Sequence, residues 1–246
     1  MTSNSKIRLL ETQAHSAAWN MALDEAMLHI AAESKIWIPS LRLYAWKPAA
    51  VSIGYFQSLQ EEVDLEVCKQ HGVDVVRRIT GGGAVFHDSE ITYSFITKEY
   101  PPGIHDSYNL ICGALIDGLR NIGIEGQFVP INDLLVNGKK FSGNAQTRKR
   151  NVLLQHGTIL LDVDVDKMFS LLKVPDEKLR GKMIATVKER VTALHKPFDE
   201  IAEAIKQGFS QRFQVQLEQS EPTEEELQRC NQLISKYSSK EWNAKI

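Results

Sequence analysis

The sequence predicts an α+β protein with a central mixed, largely antiparallel sheet flanked by helices. Three observations lead there. Strand-like runs dominate the middle of the chain, and helical periodicities lie at both ends. A Gly81-Gly82-Gly83 run is clamped between two of those strands. An Asn137-Gly138 pair joins two more, which is a strong two-residue hairpin signal.

Taken in order, Ile7–Leu10 precedes a helix over 17–32, with Leu23, Met27 and Ile30 recurring on one face. Asn20 and Asp24 sit one turn apart on another face, where a solvated or capping role is expected ahead of a site role. Short strands are predicted at 41–44, 50–53 and 73–76, with a polar helix over 64–71 between the last two. The run Ile91–Thr97 reads as the strand after the glycines. A helix over 106–121 carries Tyr108, Ile111, Cys112, Leu115, Ile116 and Leu119 as a core-facing stripe. The hairpin pairs Leu134-Leu135-Val136 with Lys139-Lys140-Phe141, and a strand over 152–161 follows. Helices then take over. Phe198, Ile201, Ile205 and Phe209 share a face, and Thr223 with Glu226 reads as a capping box opening a last helix. One domain is expected over 1–246, its helical C-terminal part at about 198–243, with no separate accessory domain.

The bulk properties exclude some classes. The 246 residues are 43% hydrophobic and 24% charged, an ordinary globular balance. Net charge is -2, from 29 basic and 31 acidic side chains, so neither a nucleic-acid nor a membrane partner is indicated. No apolar run reaches the ~18 residues that span a bilayer. A cytoplasmic location is expected. Three widely spaced cysteines form neither a disulfide framework nor a zinc pattern. Cys112 and Cys230 fall on apolar stripes and Cys68 in a polar helix, so no cysteine stands out as a nucleophile.

Arg77-Arg78-Ile79-Thr80-Gly81-Gly82-Gly83-Ala84-Val85-Phe86-His87-Asp88 carries the first chemical signal. Bare amides beside guanidinium groups make a site for a carboxylate or phosphate; the alternative is a flexible linker. It is not a Walker loop, because the Lys-Ser/Thr pair is absent. It is not a dinucleotide fingerprint, because a strand follows. The second signal is Asn132-Asp133 with Lys139-Lys140-Phe141-Ser142-Gly143-Asn144-Ala145. An Asp and a Lys brought together by the hairpin suit a magnesium-bound phosphate; the alternative is ordinary exposed charge. His156, in an apolar strand before Gly157, is either a hydrogen-bonded core residue or a pocket wall. Arg148-Lys149-Arg150 reads as a solvated loop, or as a contact for an acidic partner.

The glycine motif, Asn132-Asp133-Leu134, Lys140-Phe141-Ser142-Gly143-Asn144-Ala145 and His156-Gly157-Thr158 together resemble lipoate–protein ligase A. That group shares its catalytic domain with biotin–protein ligases. The resemblance runs from Asn20-Met21-Ala22-Leu23-Asp24-Glu25 to Glu241-Trp242-Asn243. It implies a lipoate-ligase fold and activation of lipoate or octanoate by ATP and magnesium, giving an acyl-adenylate whose acyl group passes to a carrier lysine. Lys140 would be catalytic, touching both the acyl carbonyl and the α-phosphate. Arg78, Gly83, Ala84, Val85, Phe86, Lys140 and Asp133 would bind ATP, with Asp133 the candidate magnesium ligand. Gly81, Gly82, His87, Lys140, Ser142, Gly143 and His156 would bind lipoate. Partners would be a lipoyl-carrier protein (a 2-oxoacid dehydrogenase lipoyl domain, a glycine-cleavage H protein or another lipoate-binding protein) and a separate small accessory subunit.

Cysteine-dependent octanoyltransferases are similar too, through Ser89–Ser94 and Gln146–Gly157. Two departures point away from them. Phe128–Asp133 lacks their nucleophilic cysteine, and Gly83 stands where they usually carry arginine. ATP-dependent ligation is therefore the expectation. Octanoyl or lipoyl transfer from a carrier thioester is the alternative, and a non-catalytic acyl- or adenylate-binding protein is a third reading.

Overall fold

The computed structural model describes residues 6–173 and 177–246. The chain opens with β1 (Lys6–His15), α1 (Ala17–Glu33), β2 (Ser40–Trp46), β3 (Ala50–Ile53), α2 (Leu59–Glu62), α3 (Leu65–Gln70) and β4 (Asp74–Arg77). After the triglycine loop come β5 (Val85–His87), β6 (Glu90–Thr97), α4 (Ile104–Asn121), β7 (Gly126–Val129), β8 (Asp133–Val136), β9 (Lys139–Lys149) and β10 (Val152–Leu160). The C-terminal part holds α5 (Val165–Leu171), α6 (Glu177–Arg190), α7 (Phe198–Phe213), β11 (Gln216–Gln219), α8 (Glu224–Ser238) and α9 (Lys240–Asn243).

The strands form two sheets. The larger runs β11-β1-β2-β6-β10-β9-β8-β7, and the smaller runs β4-β3-β5. In the larger one β1 pairs parallel with β11 and β2, and every other pairing is antiparallel. The mixed, largely antiparallel plan is thus what the chain adopts. The second sheet, carrying the triglycine loop, was not foreseen.

Strand alternation divides the large sheet into two faces. Leu41 and Leu43 of β2, Ile91, Tyr93 and Phe95 of β6, and Leu153 and Ile159 of β10 join one core with α4 and α7. Tyr44, Trp46, Ile96, Val152 and Leu154 join the opposite core with α1 and α8. The helices α4 and α7 approach closely because Gly118 and Gly208 face each other's backbone: a Cβ on Gly118 would lie 1.9 Å from the Ala204 carbonyl oxygen. Thr223 and Glu226 make the expected capping box of α8. Glu226 also accepts from Arg8 of β1 at 2.8 and 3.0 Å, tying the helix to the large sheet.

The Asn137-Gly138 hairpin forms as read, with positive φ at both residues (50° and 74°), as a tight primed turn requires. Beyond it the register slips: Leu135 faces Lys140, yet Leu134 faces Ser142. This bulge lets Phe141 enter the core while Lys140 stays half-exposed. The strands β7 and β11 and the helices α5 and α6 have weak sequence signals. The last of these, α6, is mostly polar, so no periodic stripe marks it. In the Arg148-Lys149-Arg150 cluster, Lys149 and Arg150 are exposed at the β9–β10 turn as expected, but Arg148 is not solvated. Arg148 lies in β9 and donates to Gly103 O at 2.9 Å and Ser107 Oγ at 2.7 Å, pinning the start of α4.

Candidate active site

The site grows from one row across the large sheet. Antiparallel register sets Arg42 opposite Ser94, Ser94 opposite His156, and His156 opposite Ala145. All four lie on the α1 side. Asp24 of α1 comes down onto this row. Its Oδ1 accepts from Arg42 at 2.9 Å and Ser94 at 2.8 Å. Its Oδ2 accepts from Tyr44 at 3.2 Å and lies 3.1 Å from His156 Nδ1. Asn20 completes the arrangement, accepting from Arg42 at 2.5 Å and donating to the His15 and Ala45 carbonyls. Asn20 and Asp24 are therefore fully buried anchors and not solvated helix residues.

Burial pushes the Asp24 carboxyl up. Hydrogen bonding from His156 and the charge of Arg42 outweigh that, leaving its pKa below the ordinary carboxylate value. Burial pulls His156 below the ordinary histidine value. The carboxylate only accepts, so a neutral His156 carries its proton on Nδ1 and accepts from Thr80 Oγ1 at Nε2, 2.7 Å away. Both alternatives for His156 thus hold at once: it is a satisfied buried residue, and its edge forms cavity wall.

Above this row lies a cavity of about 170 Å³. Met21, Tyr44, Trp46 and Ala145 supply apolar surface. Gly82, Gly83, Ala84 and Val85 supply backbone, and Lys140, Thr158 and His87 supply polar groups. Trp46 stacks on His87 with ring centroids 4.0 Å apart. The loop above is shaped from within. Gly82 adopts φ 93°, and its carbonyl packs where a Cβ on Gly54 would stand, 2.0 Å away. Arg78 lines the cavity but spends its terminal N–H groups on Ser52 O (2.9 Å), Ser52 Oγ (3.0 Å), Gly81 O (2.9 Å) and Gly83 O (2.7 Å). It clamps the loop, instead of standing free to meet an anion. Burial lowers its pKa to about 10, which leaves it charged near neutrality.

Lys140 reaches the cavity from β9 and pairs with Asp133 at 2.7 Å, with side chains 41% and 35% exposed. Asp133, expected on a magnesium ion, is thus engaged by an ammonium. Among the described residues no group of three or more His, Cys, Asp or Glu side chains is placed to hold a metal. Gly143 lies at the junction with a second cavity of about 310 Å³, which also takes Phe86 and Ser142. Gly81 borders neither cavity. Gly157 is glycine because Asn144 Oδ1 would sit 2.1 Å from its Cβ; the close neighbour is a side chain of the protein itself.

Sequence reasoning missed Arg42, Tyr44, Trp46, Ser52, Thr92 and Thr158. Their signal was alternation: polar residues at every second position of strands otherwise apolar, as in Ile91-Thr92-Tyr93-Ser94-Phe95. The cysteines stay outside. All three are buried, and burial pushes the thiols of Cys68 and Cys230 up to about 11 and that of Cys112 to about 12.

Comparison with known proteins fits this geometry. Residues 16–214 match the family model of the lipoyl protein ligase A/B catalytic domain. Octanoyltransferase LipM of Bacillus subtilis is 37% identical, over 97% of this chain and 98% of that protein. LipM of Brevibacillus brevis is also 37% identical, over 96% and 98%. Among solved structures, a bi-partite lipoate protein ligase from Thermoplasma acidophilum, studied with its E2 lipoyl domain, superposes with TM-score 0.89 at 32% identity, covering 98% of this chain and 96% of that one. A lipoate-protein ligase A bound with ATP superposes with TM-score 0.83 at 29% identity, covering 98% of both. The expectation of ATP-dependent ligation is overturned by the whole-length relatives, which are octanoyltransferases and so match the alternative. The missing thiol and Gly83 had pointed to ligation; the names of relatives matched over the whole chain point the other way. With motif, cavity and fold in agreement, this chain belongs to the lipoyl protein ligase A/B catalytic-domain family.

Proposed function

We propose that this protein transfers a medium-chain acyl group, octanoyl in the first instance, from a carrier thioester to a lysine of a lipoyl domain. The observation that carries the reading is the half-exposed ammonium of Lys140 at one side of an apolar-walled cavity. The whole-length relatives support octanoyl as the group. The lipoyl domain studied with the Thermoplasma ligase supports the acceptor class; a 2-oxoacid dehydrogenase lipoyl domain or an H protein would serve.

The acyl tail lies against Met21, Tyr44 and Trp46, gaining ~0.8 kcal/mol per buried CH₂. Its thioester carbonyl then points at Lys140. When the acceptor amine attacks, negative charge gathers on that oxygen. The Lys140 ammonium and the amides of the glycine loop stabilise it, which is where a fixed cation contributes most. Collapse of the tetrahedral adduct expels the donor thiolate and leaves an amide. No thiol lines the cavity, so the transfer runs in one displacement with no acyl-cysteine.

The test is incubation with an octanoyl-carrier thioester and an unmodified lipoyl domain, without nucleotide. Intact mass should rise by one octanoyl group on the acceptor lysine. Modification only when ATP and free acid are supplied would sink the reading.

A further inference from the structure

Lys140 carries its ammonium on a long flexible stem, and the partner that holds that ammonium is Asp133 Oδ1, 2.7 Å away. A half-exposed ion pair is too weak to order the backbone it sits on. Asp133 is the first residue of β8, directly after a loop in which Ile131 is 75% exposed. Strand ends of this kind fray unless they are tied down. The tie lies on the α4 side of the large sheet, in a row of polar groups that the chemistry above does not use.

Register sets Tyr93 of β6 opposite Gly157 of β10, and Gly157 opposite Asn144 of β9. Gly157 has no side chain, so the Tyr93 hydroxyl reaches across it and donates to Asn144 Oδ1 at 2.7 Å. Gln155 Nε2 donates to the same hydroxyl, also at 2.7 Å. Tyr93 is fully buried and Asn144 is 3% exposed. The Asn132 carbonyl takes two N–H groups of Asn144, the backbone amide at 3.0 Å and Nδ2 at 2.9 Å. A carbonyl only accepts, so Nδ2 must face Asn132 and Oδ1 must face Tyr93. Nδ2 also donates to Ser142 Oγ at 3.3 Å, and Asn132 Nδ2 donates back to the Asn144 carbonyl. Both polar atoms of the buried Asn144 side chain are thus engaged, as burial demands.

We propose that Asn144 is a positioning residue for the transfer: by clamping Asn132 it fixes Asp133, and Asp133 aims the Lys140 ammonium at the thioester carbonyl. The inference rests on the acyl-transfer reading and supplies what preorganises its cation. The path from amide to ammonium is short. Asp133 follows Asn132 directly and pairs with Gly143, the residue before Asn144. Lys140 lies over that glycine, where a Cβ would meet Lys140 Cε and Nζ at 3.1 Å each and Asp133 Oδ1 at 3.9 Å. Without the Asn144 side chain, Asn132 keeps only its backbone ties to β9. Asp133 then samples several positions and the ammonium follows it. Misplacing a reacting group by about 1 Å costs on the order of 100-fold in rate.

The test is a double-mutant cycle with octanoyl-pantetheine and a lipoyl domain as substrates. Asn144→Ala should lower kcat about 30-fold and leave the donor and acceptor KM within about twofold. Combined with Lys140→Ala, it should add less than about threefold to the loss from Lys140→Ala alone, because the amide acts through the ammonium. A merely structural amide would multiply the two losses. Labelling with acetic anhydride, read by peptide mass, needs no turnover. Lys140 should react about tenfold faster in Asn144→Ala than in wild type, with the exposed Lys69 unchanged as the control. Should Asn144→Ala fail to fold, Tyr93→Phe removes one hydroxyl from the same row and should move kcat and labelling in the same directions by about threefold. Wild-type labelling of Lys140 in the folded variant, or losses that multiply in the double variant, overturn the proposal. If wild type makes no amide from a thioester, the acyl-transfer reading falls, and the labelling still decides whether Asn144 holds Lys140 in place.

Discussion

At the scale of single residues, Lys140 and His156 do different jobs for reasons that burial explains. Lys140 forms a half-exposed pair with Asp133, and such pairs contribute ~0–1 kcal/mol. Lys140→Ala should therefore melt within a few degrees of wild type. Its octanoyl transfer should fall by about 100-fold or more, as for the loss of a group that stabilises an oxyanion. Near-wild-type turnover would remove Lys140 from the chemistry. His156 is buried and held neutral, with its pKa pulled below 6.5. As pH drops through about 6.5 the unfolded chain binds a proton that the folded chain refuses, so stability falls until the folded pKa is reached. Asp24, its pKa held below 3.8, adds a second loss further down, in the range where the unfolded carboxyl takes a proton first. Thermal melts from pH 8 to 5 should slope downward in wild type and distinctly less in His156→Gln. Equal slopes would show that the neutral histidine is not the cause.

At the scale of elements, close approach decides more than propensity. The helices α4 and α7 touch through Gly118 and Gly208, whose Cβ positions fall 1.9 and 2.0 Å from backbone oxygens of the facing helix. Even one methyl group forces the helices apart. Gly118→Ala should cost about 2–3 kcal/mol in urea unfolding, the upper range for overpacking; a cost below about 0.5 kcal/mol would mean that the crossing is looser than described. In the hairpin of β8 and β9 the turn residues set the register. The bulge after them, absent from any turn rule, puts Phe141 in the core and leaves Lys140 at the cavity.

At the scale of the molecule, the site lies between two sheets, and one arginine of the small sheet ties the loop after β3 to the C-terminal helix. Arg77 donates to the Gly54, Tyr55 and Gln57 carbonyls of the loop after β3 and to those of Trp242 and Asn243 near the C-terminus. Arg77 and Trp242, 165 residues apart, thereby join the strand before the glycine loop to the Glu241-Trp242-Asn243 motif. The cysteines lie away from the cavity, each in a different core cluster. Replacing Cys68, Cys112 and Cys230 together by Ala should leave octanoyl transfer within about threefold, and quenched reactions should yield no acylated enzyme in intact mass. A trapped acyl-cysteine would replace direct displacement with a two-step route. Among the described residues no helix is long and apolar enough to cross a membrane.

Whatever is periodic or local was legible in the chain before it folded. The core stripe of α4, the capping box of α8, the primed turn at Asn137-Gly138 and the family motifs around Gly81–Gly83 and Lys140 are each written within about a dozen residues. Tertiary structure alone decided what depends on register between distant segments. Asp24 meets His156 across 132 positions, Arg78 turns inward onto its own loop, and Glu90 buries an oxygen that has no partner among the described residues. The physical reason is that a strand's alternation reveals its two faces but not which one a helix will cover. Only the pairing of β2, β6, β9 and β10 put the polar face of all four under α1, and that pairing made the cavity.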